Sequence, residues 1–351
     1  MVIGLVYVNS MFFRVEGLNS FAYISAIAFC AVYYFSDSAR NPLSLLIFPV
    51  FLLGLIDLLL AYFVFITLQK NGTSSRPLDR DYDVLTLLVV GGAALAFRLL
   101  TNGLHYSAGY GFFGRLDLGF YHPNLAPIWA LMLAYYCKHY LGKYTYAFSL
   151  LVLGFFVVMS GSLGKVPLIF ILFFSGLLFK FRKLSYYSLI AVVLVATFFL
   201  MTNMSYEISI LTSGRNVIFD QLLQTFTPER LVRPVDREEL STFTAINAWY
   251  SQFNAGFVGT LPFDSLLSAS VAAGPLVVFI FFLACGVFKC PDNQKDFDRK
   301  MLFWAFGFAS NPISIWGPLM LFAIKNSDTG RTARTDQERL HRQAMVASTP
   351  A

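Results

Sequence analysis

Long, uninterrupted apolar runs constrain this sequence more than any other feature. A membrane-spanning helix needs about 20 mainly apolar residues. Runs of this kind lie near 2–13, 20–36, 43–68, 83–100, 124–140, 144–160, 166–180, 185–203, 265–288 and 301–325. Because the runs are continuous and do not alternate with polar residues, they favour helices over a transmembrane β-barrel. The sequence therefore predicts an all-α fold, a polytopic transmembrane helical bundle of about ten spans.

Composition excludes the main soluble classes. Hydrophobic residues make up 57% of the 351 residues, and charged residues make up 13%, against about 25% in a typical soluble domain. A soluble fold of this length has too little interior to bury so much apolar surface. The net charge of +6 is attributed to loops that face anionic lipid, so a nucleic-acid partner is not expected.

The lysines and arginines are concentrated in alternate connections, such as Lys138 with Lys143 and Lys180 with Lys183. The positive-inside rule places these connections in the cytoplasm. The opposite side then holds the periplasmic loops 101–123 and 204–264, and the second is the one large loop. We assign 1–325 to a polytopic membrane domain and 326–351 to a polar C-terminal tail that is expected to be disordered. Strict alternation puts the tail outside, whereas its arginines argue for the cytoplasm, so its side stays open.

Motifs for bound cofactors are missing from the sequence. The four cysteines form no CxxC pair and no Cys/His cluster, which argues against a zinc site. The chain also lacks a P-loop, a GxGxxG fingerprint and an HExxH string. We therefore expect neither a metal nor any other cofactor.

Arginine dominates the predicted outer side, where lysine occurs only as Lys165. The arginines on that side are Arg40, Arg98, Arg115, Arg215, Arg230, Arg233 and Arg237. A guanidinium group binds phosphate or carboxylate through two parallel hydrogen bonds, whereas an ammonium group is a hydrated point charge. The bias indicates a site for an oxyanion. For the segment 229–239, ion pairs with acidic residues of the same loop remain an equal alternative.

Arg215 follows Ser213-Gly214 and precedes a helix-like apolar pattern. Ser213 or Asn216 is a candidate N-cap for that helix. The amides of the helix N-terminus and the Arg215 side chain would then face the same anion.

His122 lies in Tyr121-His122-Pro123-Asn124, directly before a predicted span. Proline suits the first turn of a helix, so one interpretation is simply a signal for a helix start. The other is an imidazole held at the membrane surface, able to accept a proton near neutral pH. His139 falls on the predicted cytoplasmic side and is therefore set aside.

Four segments in this order resemble the bacterial O-antigen polymerase and O-antigen ligase superfamily. They are 120–124 (Phe-Tyr-His-Pro-Asn), 160–165 (Ser-Gly-Ser-Leu-Gly-Lys), 213–215 (Ser-Gly-Arg) and 247–259, which runs from Asn-Ala-Trp-Tyr to Gly-Phe-Val-Gly. The likeness covers roughly 85–325. The family turn usually reads Ser-Arg-Gly, and here Leu163 takes the arginine position while Lys165 is the candidate substitute.

The late loop departs from the ligases, which carry a His-Asn pair before the aromatic residue. Here that neighbourhood reads Ala245-Ile246-Asn247-Ala248. The missing histidine favours a polymerase over a ligase and leaves the catalytic base open.

The resemblance implies a glycosyltransferase of the bacterial inner membrane. The donor would be a growing glycan on undecaprenyl diphosphate, and the acceptor a new lipid-linked repeat unit on the periplasmic side. A chain-length regulator protein is a candidate partner, beside membrane lipid. On this basis the expected catalytic residues are Arg215, His122 and Arg115, with Asp117 or Asp220 as reserve bases. The expected substrate-binding residues are Arg98, Lys165, Arg230, Arg233, Arg237, Asn247, Trp249 and Tyr250.

Three alternatives stay open at this point. Trp249 and Tyr250 are equally interpreted as an interfacial aromatic belt. An O-antigen ligase would transfer the glycan to lipid A core. A lipid-linked sugar flippase would need charged residues in several spans and often two related halves, and a scaffold protein of the polysaccharide machinery is a further option.

Overall fold

The computed structural model describes residues 81–104, 106–107, 115–120, 123–211, 215–233, 235, 266–284 and 286–309. Within these residues the chain is helical, apart from two antiparallel strands of two residues each. The all-α class is thus confirmed for this part of the chain. The predicted spans in 2–68, most of the large loop and the tail lie outside the described residues.

Ten α-helices and two strands make up the described part of the chain. They are α1 (Asp81–Asn102), β1 (Tyr106–Ser107), β2 (Arg115–Leu116), α2 (Ala126–Tyr140), α3 (Lys143–Met159), α4 (Val166–Lys180), α5 (Arg182–Thr202), α6 (Tyr206–Leu211), α7 (Arg215–Gln224), α8 (Leu266–Ala273), α9 (Pro275–Ala284) and α10 (Gln294–Ala309). Three short 3-10 helices cover Pro123–Leu125, Leu163–Lys165 and Pro228–Leu231.

Each apolar run between 83 and 203 forms one helix. Prolines lie in the first turn of α2 and α4, where a missing amide hydrogen costs no helical bond. Leu141-Gly142 breaks the chain between α2 and α3, and α2 and α3 pack against each other as a hairpin.

The last two described runs differ from the predicted spans. The run 265–288 is two helices, because Gly274 takes a positive φ of 92° and interrupts it. The final run begins at Gln294, well before residue 301. Asn293 precedes the first residue of this helix. Its side-chain Oδ1 accepts a hydrogen bond from the Asp296 backbone N–H at 2.8 Å, and its side-chain Nδ2 donates to the Asp296 carboxylate at 2.8 Å. Asn293 therefore caps α10, and the charged residues before 301, which lie between the predicted runs, belong to this helix.

Helix α10 lies at the centre of the packing, against α4 and α5. Trp304 and Phe297 on α10 and Tyr186 on α5 are among the largest fully buried side chains. The Tyr186 hydroxyl donates to the Val287 carbonyl and accepts the Trp304 indole N–H at 3.2 Å. The buried hydroxyl is therefore satisfied and fixes α5 to the turn after α9 and to the second half of α10.

Helices α3, α4 and α5 also carry a large exposed apolar surface. Its members include Phe148, Leu151 and Phe155 on α3, Phe170, Phe173 and Leu177 on α4, and Val192, Val195 and Phe199 on α5. Within the described residues one helix, α5, is long and apolar enough to cross a membrane, with 21 residues and a mean hydropathy of 2.1. Only 22% of its apolar window is buried, which is unlike the core helix of a soluble protein.

Candidate functional site

Two of the segments singled out in the sequence meet at the start of α2. The Ser162 hydroxyl donates to Asn124 Oδ1 at 2.7 Å. Asn124 belongs to the 3-10 turn that leads into α2, and Ser162 to the turn between α3 and α4. The contact joins parts of the chain that are 38 residues apart. We call Asn124, Ser162 and Lys165 the Asn124 site.

The turn that carries Ser162 and Lys165 has a defined hydrogen-bond pattern. The Gly161 amide donates to the Val158 carbonyl and the Ser162 amide to the Val157 carbonyl, both at 3.0 Å. These two bonds are those of a Schellman motif, which needs a left-handed residue after the helix. Gly161 supplies it, with a φ of 63°.

Lys165 is the buried cation of the Asn124 site. It is only 3% exposed, and its amide donates to the Ser162 carbonyl at 2.9 Å. Its ammonium group lies 5.0 Å from the centre of the Phe306 ring on α10, within range of a cation–π contact. Lys165 is thus a buried cationic residue in the same turn as Ser162, with its ammonium group directed to the Phe306 ring.

The segment that leads towards His122 is held between three helices. Gly119 has a φ of 82°, and a Cβ there would lie 2.9 Å from Leu95 and 3.1 Å from Leu99 of α1. These leucines flank Arg98, which is half-buried. Phe120 is fully buried, with ring centres 6.4 Å from Trp129 and 6.3 Å from Phe156. This packing fixes the backbone two residues before His122.

Asp117, predicted as a reserve base, has a local role in this segment. Its Oδ1 accepts the Gly119 amide at 3.1 Å, as in an Asx turn. Asp220, the other reserve base, accepts the Gln224 side-chain amide at 2.6 Å one turn along α7.

The helix predicted after Arg215 is present as α7, with buried Val217, Ile218 and Leu222. The capping role predicted for Asn216 is wrong, because Asn216 lies inside the helix and is fully buried. Its amide donates to the Asn203 carbonyl and to the Ser209 hydroxyl, both at 2.8 Å. Asn216 therefore anchors the first turn of α7 to the end of α5.

Arg230 and Arg233 differ in their surroundings. Arg230 is 9% exposed, whereas Arg233 is exposed. Their segment rests on the break between α8 and α9, where the Val235 amide donates to the Ala272 carbonyl at 2.8 Å. At Gly274 a Cβ would lie 3.1 Å from the Val232 carbonyl carbon. The close approach requires glycine.

Several predicted site residues lie outside the described part of the chain. This holds for His122, Arg237, Asn247, Trp249 and Tyr250, and also for the side chains of Arg115 and Arg215. Their roles remain predictions. The backbone of Arg115 lies in β2, in register with Ser107.

A second polar cluster, which the sequence did not indicate, lies at the other end of α2. There the last turn of α2 meets the first turns of α10. Asp298 is fully buried. One of its carboxylate oxygens, Oδ2, lies 2.5 Å from the Lys138 ammonium and 3.1 Å from His139 Nε2. Lys138 also donates to the Ser175 hydroxyl on α4. We call Lys138, His139 and Asp298 the buried ion cluster.

Arg299 and Lys300 border the buried ion cluster on α10. Arg299 is buried and lies 2.5 Å from Asp296. Lys300 precedes the predicted span and donates to the Gly286 carbonyl at 2.6 Å and the Lys289 carbonyl at 2.8 Å. Burial, with a smaller effect of neighbouring Arg299, lowers the pKa of Lys300 to about 8.

One sequence signal indicates that the charged residues at the start of α10 belong to a helix. Apolar residues at 297, 301 and 302 continue the helical pattern back from 301. They place the intervening charges in a helix and not in a loop.

The described residues contain no group of three or more His, Cys, Asp or Glu side chains placed to hold a metal ion. The chain matches no family model, no curated protein and no solved structure.

Proposed function

We propose that this chain is a repeat-unit polymerase of the bacterial inner membrane. It would transfer a growing O-antigen glycan from undecaprenyl diphosphate to a new lipid-linked repeat unit on the periplasmic side. The observation that carries the proposal is the Asn124–Ser162 hydrogen bond with Lys165 buried beside it. This contact unites two separate segments of the resemblance, and the second of them also contains the buried Lys165.

The exposed apolar surface of α3, α4 and α5 supports the placement in a membrane. A helix of 21 residues is about 31 Å long at 1.5 Å per residue, close to the hydrocarbon thickness of about 30 Å. In water, apolar side chains on three neighbouring helices would form a patch far larger than soluble monomers expose. In a bilayer the same surface meets lipid chains. The proposal extends this placement to about ten spans.

The proposed chemistry is one glycosyl transfer. The bond between the sugar anomeric carbon and the diphosphate oxygen breaks, and a bond to the acceptor hydroxyl oxygen forms. The lipid diphosphate leaves with the bonding electron pair. As its negative charge grows, cations placed in advance stabilise the transition state more than the ground state. Lys165 is proposed for this role because it is buried in the turn that holds Ser162, and Arg98, Arg115 and Arg215 are proposed from the resemblance.

The acceptor hydroxyl must lose its proton during the transfer. His122 is the proposed base, because an imidazole accepts protons near neutral pH. The Ser162 bond fixes Asn124 only two residues beyond His122, and Phe120 is buried two residues before it. The backbone on both sides of His122 is therefore held.

The test compares two serines on the same hairpin. Ser162→Ala removes the donor to Asn124, whereas Ser149→Ala removes a similarly buried hydroxyl that donates at 2.7 Å to the Tyr146 carbonyl of its own helix. In a deletion strain that carries each variant, we expect Ser162→Ala to shorten the glycan ladder on gels. Ser149→Ala should keep the full ladder. Equal ladders at equal protein levels would contradict the assignment.

A lipid-linked sugar flippase is the second candidate function. The buried ion cluster favours it, because charges buried among apolar helices often mark a transport pathway. Products separate the candidates. A polymerase yields a ladder from lipid-linked units already on the outer face, and an O-antigen ligase yields single capped units on lipid A core. A flippase makes no new glycosidic bond.

A further inference from the structure

Most basic side chains at the Lys138 end of the helices have partners within the protein. Lys138 lies against Asp298 at 2.5 Å, Arg182 against Asp292 at 2.9 Å, and Arg299 against Asp296 at 2.5 Å. Lys295 lies 4.6 Å from the centre of the Tyr140 ring. These basic groups are therefore engaged within the protein.

Three lysines at the same end behave differently, and we call them the lysine rim. They are Lys143 in the first turn of α3, Lys180 at the end of α4, and Lys183 in the first turn of α5. All three are exposed. None forms an ion pair with a carboxylate among the residues the structure describes.

Helix packing places the lysine rim on one margin of the molecule. The Tyr146 hydroxyl on α3 donates to the Leu172 carbonyl on α4 at 2.7 Å, so the first turn of α3 reaches the middle of α4. Phe181 alone separates α4 from α5. The lysine rim therefore borders the surface formed by α3, α4 and α5.

That surface is apolar up to the lysine rim. Tyr144, Phe181, Leu184 and Tyr187 are all more than half exposed, and the Lys143 ammonium lies 5.1 Å from the centre of the Tyr144 ring. Aromatic side chains beside lysines, with an apolar surface beyond, form the pattern of a helix end at a membrane–water interface.

We propose that the lysine rim binds the headgroups of anionic phospholipids in the leaflet at this end of the helices. The inference rests on the membrane placement of the proposed function and names a lipid partner for this margin. The chemistry is complementary: the phosphates are oxyanions, the three ammonium groups have no described carboxylate partner, and the apolar surface accepts the acyl chains. A lysine near an anionic bilayer surface contributes about fivefold to the preference for anionic lipid.

The test uses the full-length protein in nanodiscs of phosphatidylcholine, with and without added phosphatidylglycerol. The probe variant is Lys143→Gln/Lys180→Gln/Lys183→Gln. The control, Arg331→Gln/Arg334→Gln/Arg339→Gln, removes the same charge from the C-terminal tail. We expect phosphatidylglycerol to raise the thermal unfolding midpoint of the unaltered protein and of the tail variant. The lysine-rim variant should lose most of that rise.

Two results would overturn the inference. One is a full rise in the lysine-rim variant, and the other is an equal loss in the tail variant. Soluble glycerol phosphate, added to phosphatidylcholine nanodiscs, should not reproduce the rise; if it does, the lysines recognise a phosphate group without the bilayer. Failure of glycan polymerisation is measured separately on gels, so the two proposals fail independently.

Discussion

Removing the Asp298 carboxylate should reveal how strongly the buried ion cluster depends on charge compensation. The Asp298 side chain is fully buried, and the Lys138 side chain is 12% exposed. Asp298→Asn keeps the shape but leaves the Lys138 ammonium buried without its counter-ion. Breaking a buried pair in this way costs about 3–5 kcal/mol. We expect a loss of that size in the free energy of unfolding.

A matched control lies at the same end of the molecule. Asp292 pairs with Arg182 at 2.9 Å, but its side chain is 83% exposed. Exposed pairs contribute about 0–1 kcal/mol, so Asp292→Asn should change the stability little. The two variants make the same chemical change and differ in burial.

A double variant separates lost charge balance from lost packing. Asp298→Leu with Lys138→Met replaces both charges by apolar side chains, which is often neutral for a buried pair. We expect it to recover most of the stability lost in Asp298→Asn. The assay is denaturant unfolding of the detergent-solubilised protein, followed by tryptophan fluorescence. If Asp298→Asn costs no more than Asp292→Asn, the burial argument is refuted.

Three further perturbations test separate parts of the account. Gly274→Ala should lower the thermal unfolding midpoint, because φ is 92° and the added Cβ meets the Val232 backbone at 3.1 Å. The control is Gly154→Ala on α3, where the added Cβ meets open space, and it should leave the midpoint unchanged or raise it. Burial lowers the pKa of Lys300 from 10.5 to about 8, so between these pH values the unfolded chain binds more protons than the folded protein. The free energy of unfolding should therefore rise with pH across that window. Lys300→Met should flatten the rise, measured by denaturant titrations at each pH. Arg215→Ala should abolish the long glycan ladder while the protein still reaches the membrane. Arg215→Lys should restore little of the ladder if the guanidinium binds the diphosphate through two parallel hydrogen bonds. A full ladder with lysine would reduce the role of Arg215 to its positive charge.

The helices between 83 and 203 were predictable because glycine, proline or charged residues separate their apolar runs. The break at Gly274 was missed, although Gly274-Pro275 is a dipeptide that marks a turn and proline suits the first turn of the next helix. The close approach of the Val232 backbone to this glycine has no local signal, because the two residues are distant in the sequence. The start of α10 was missed because the predicted run begins only at residue 301, whereas Asn293 caps the helix at its true start.

The candidate site was predictable in its parts but not in its contacts. The resemblance pointed to the segments that contain Asn124 and Ser162, yet their hydrogen bond joins residues 38 positions apart. The buried ion cluster joins residues 160 positions apart, through Lys138 and Asp298. No local pattern encodes such pairings, because the first depends on how the start of α2 meets the turn between α3 and α4, and the second on how α2 meets α10.

Glycan synthesis by the purified protein tests the central proposal most directly. The protein would be placed in nanodiscs with lipid-linked repeat units, and the products separated on a gel. The account predicts a ladder that lengthens with time for the unaltered protein and for Ser149→Ala, and a shorter ladder for Ser162→Ala. Repeat units that remain single, while the lipid-linked substrate crosses the bilayer, would contradict the polymerase and support the flippase.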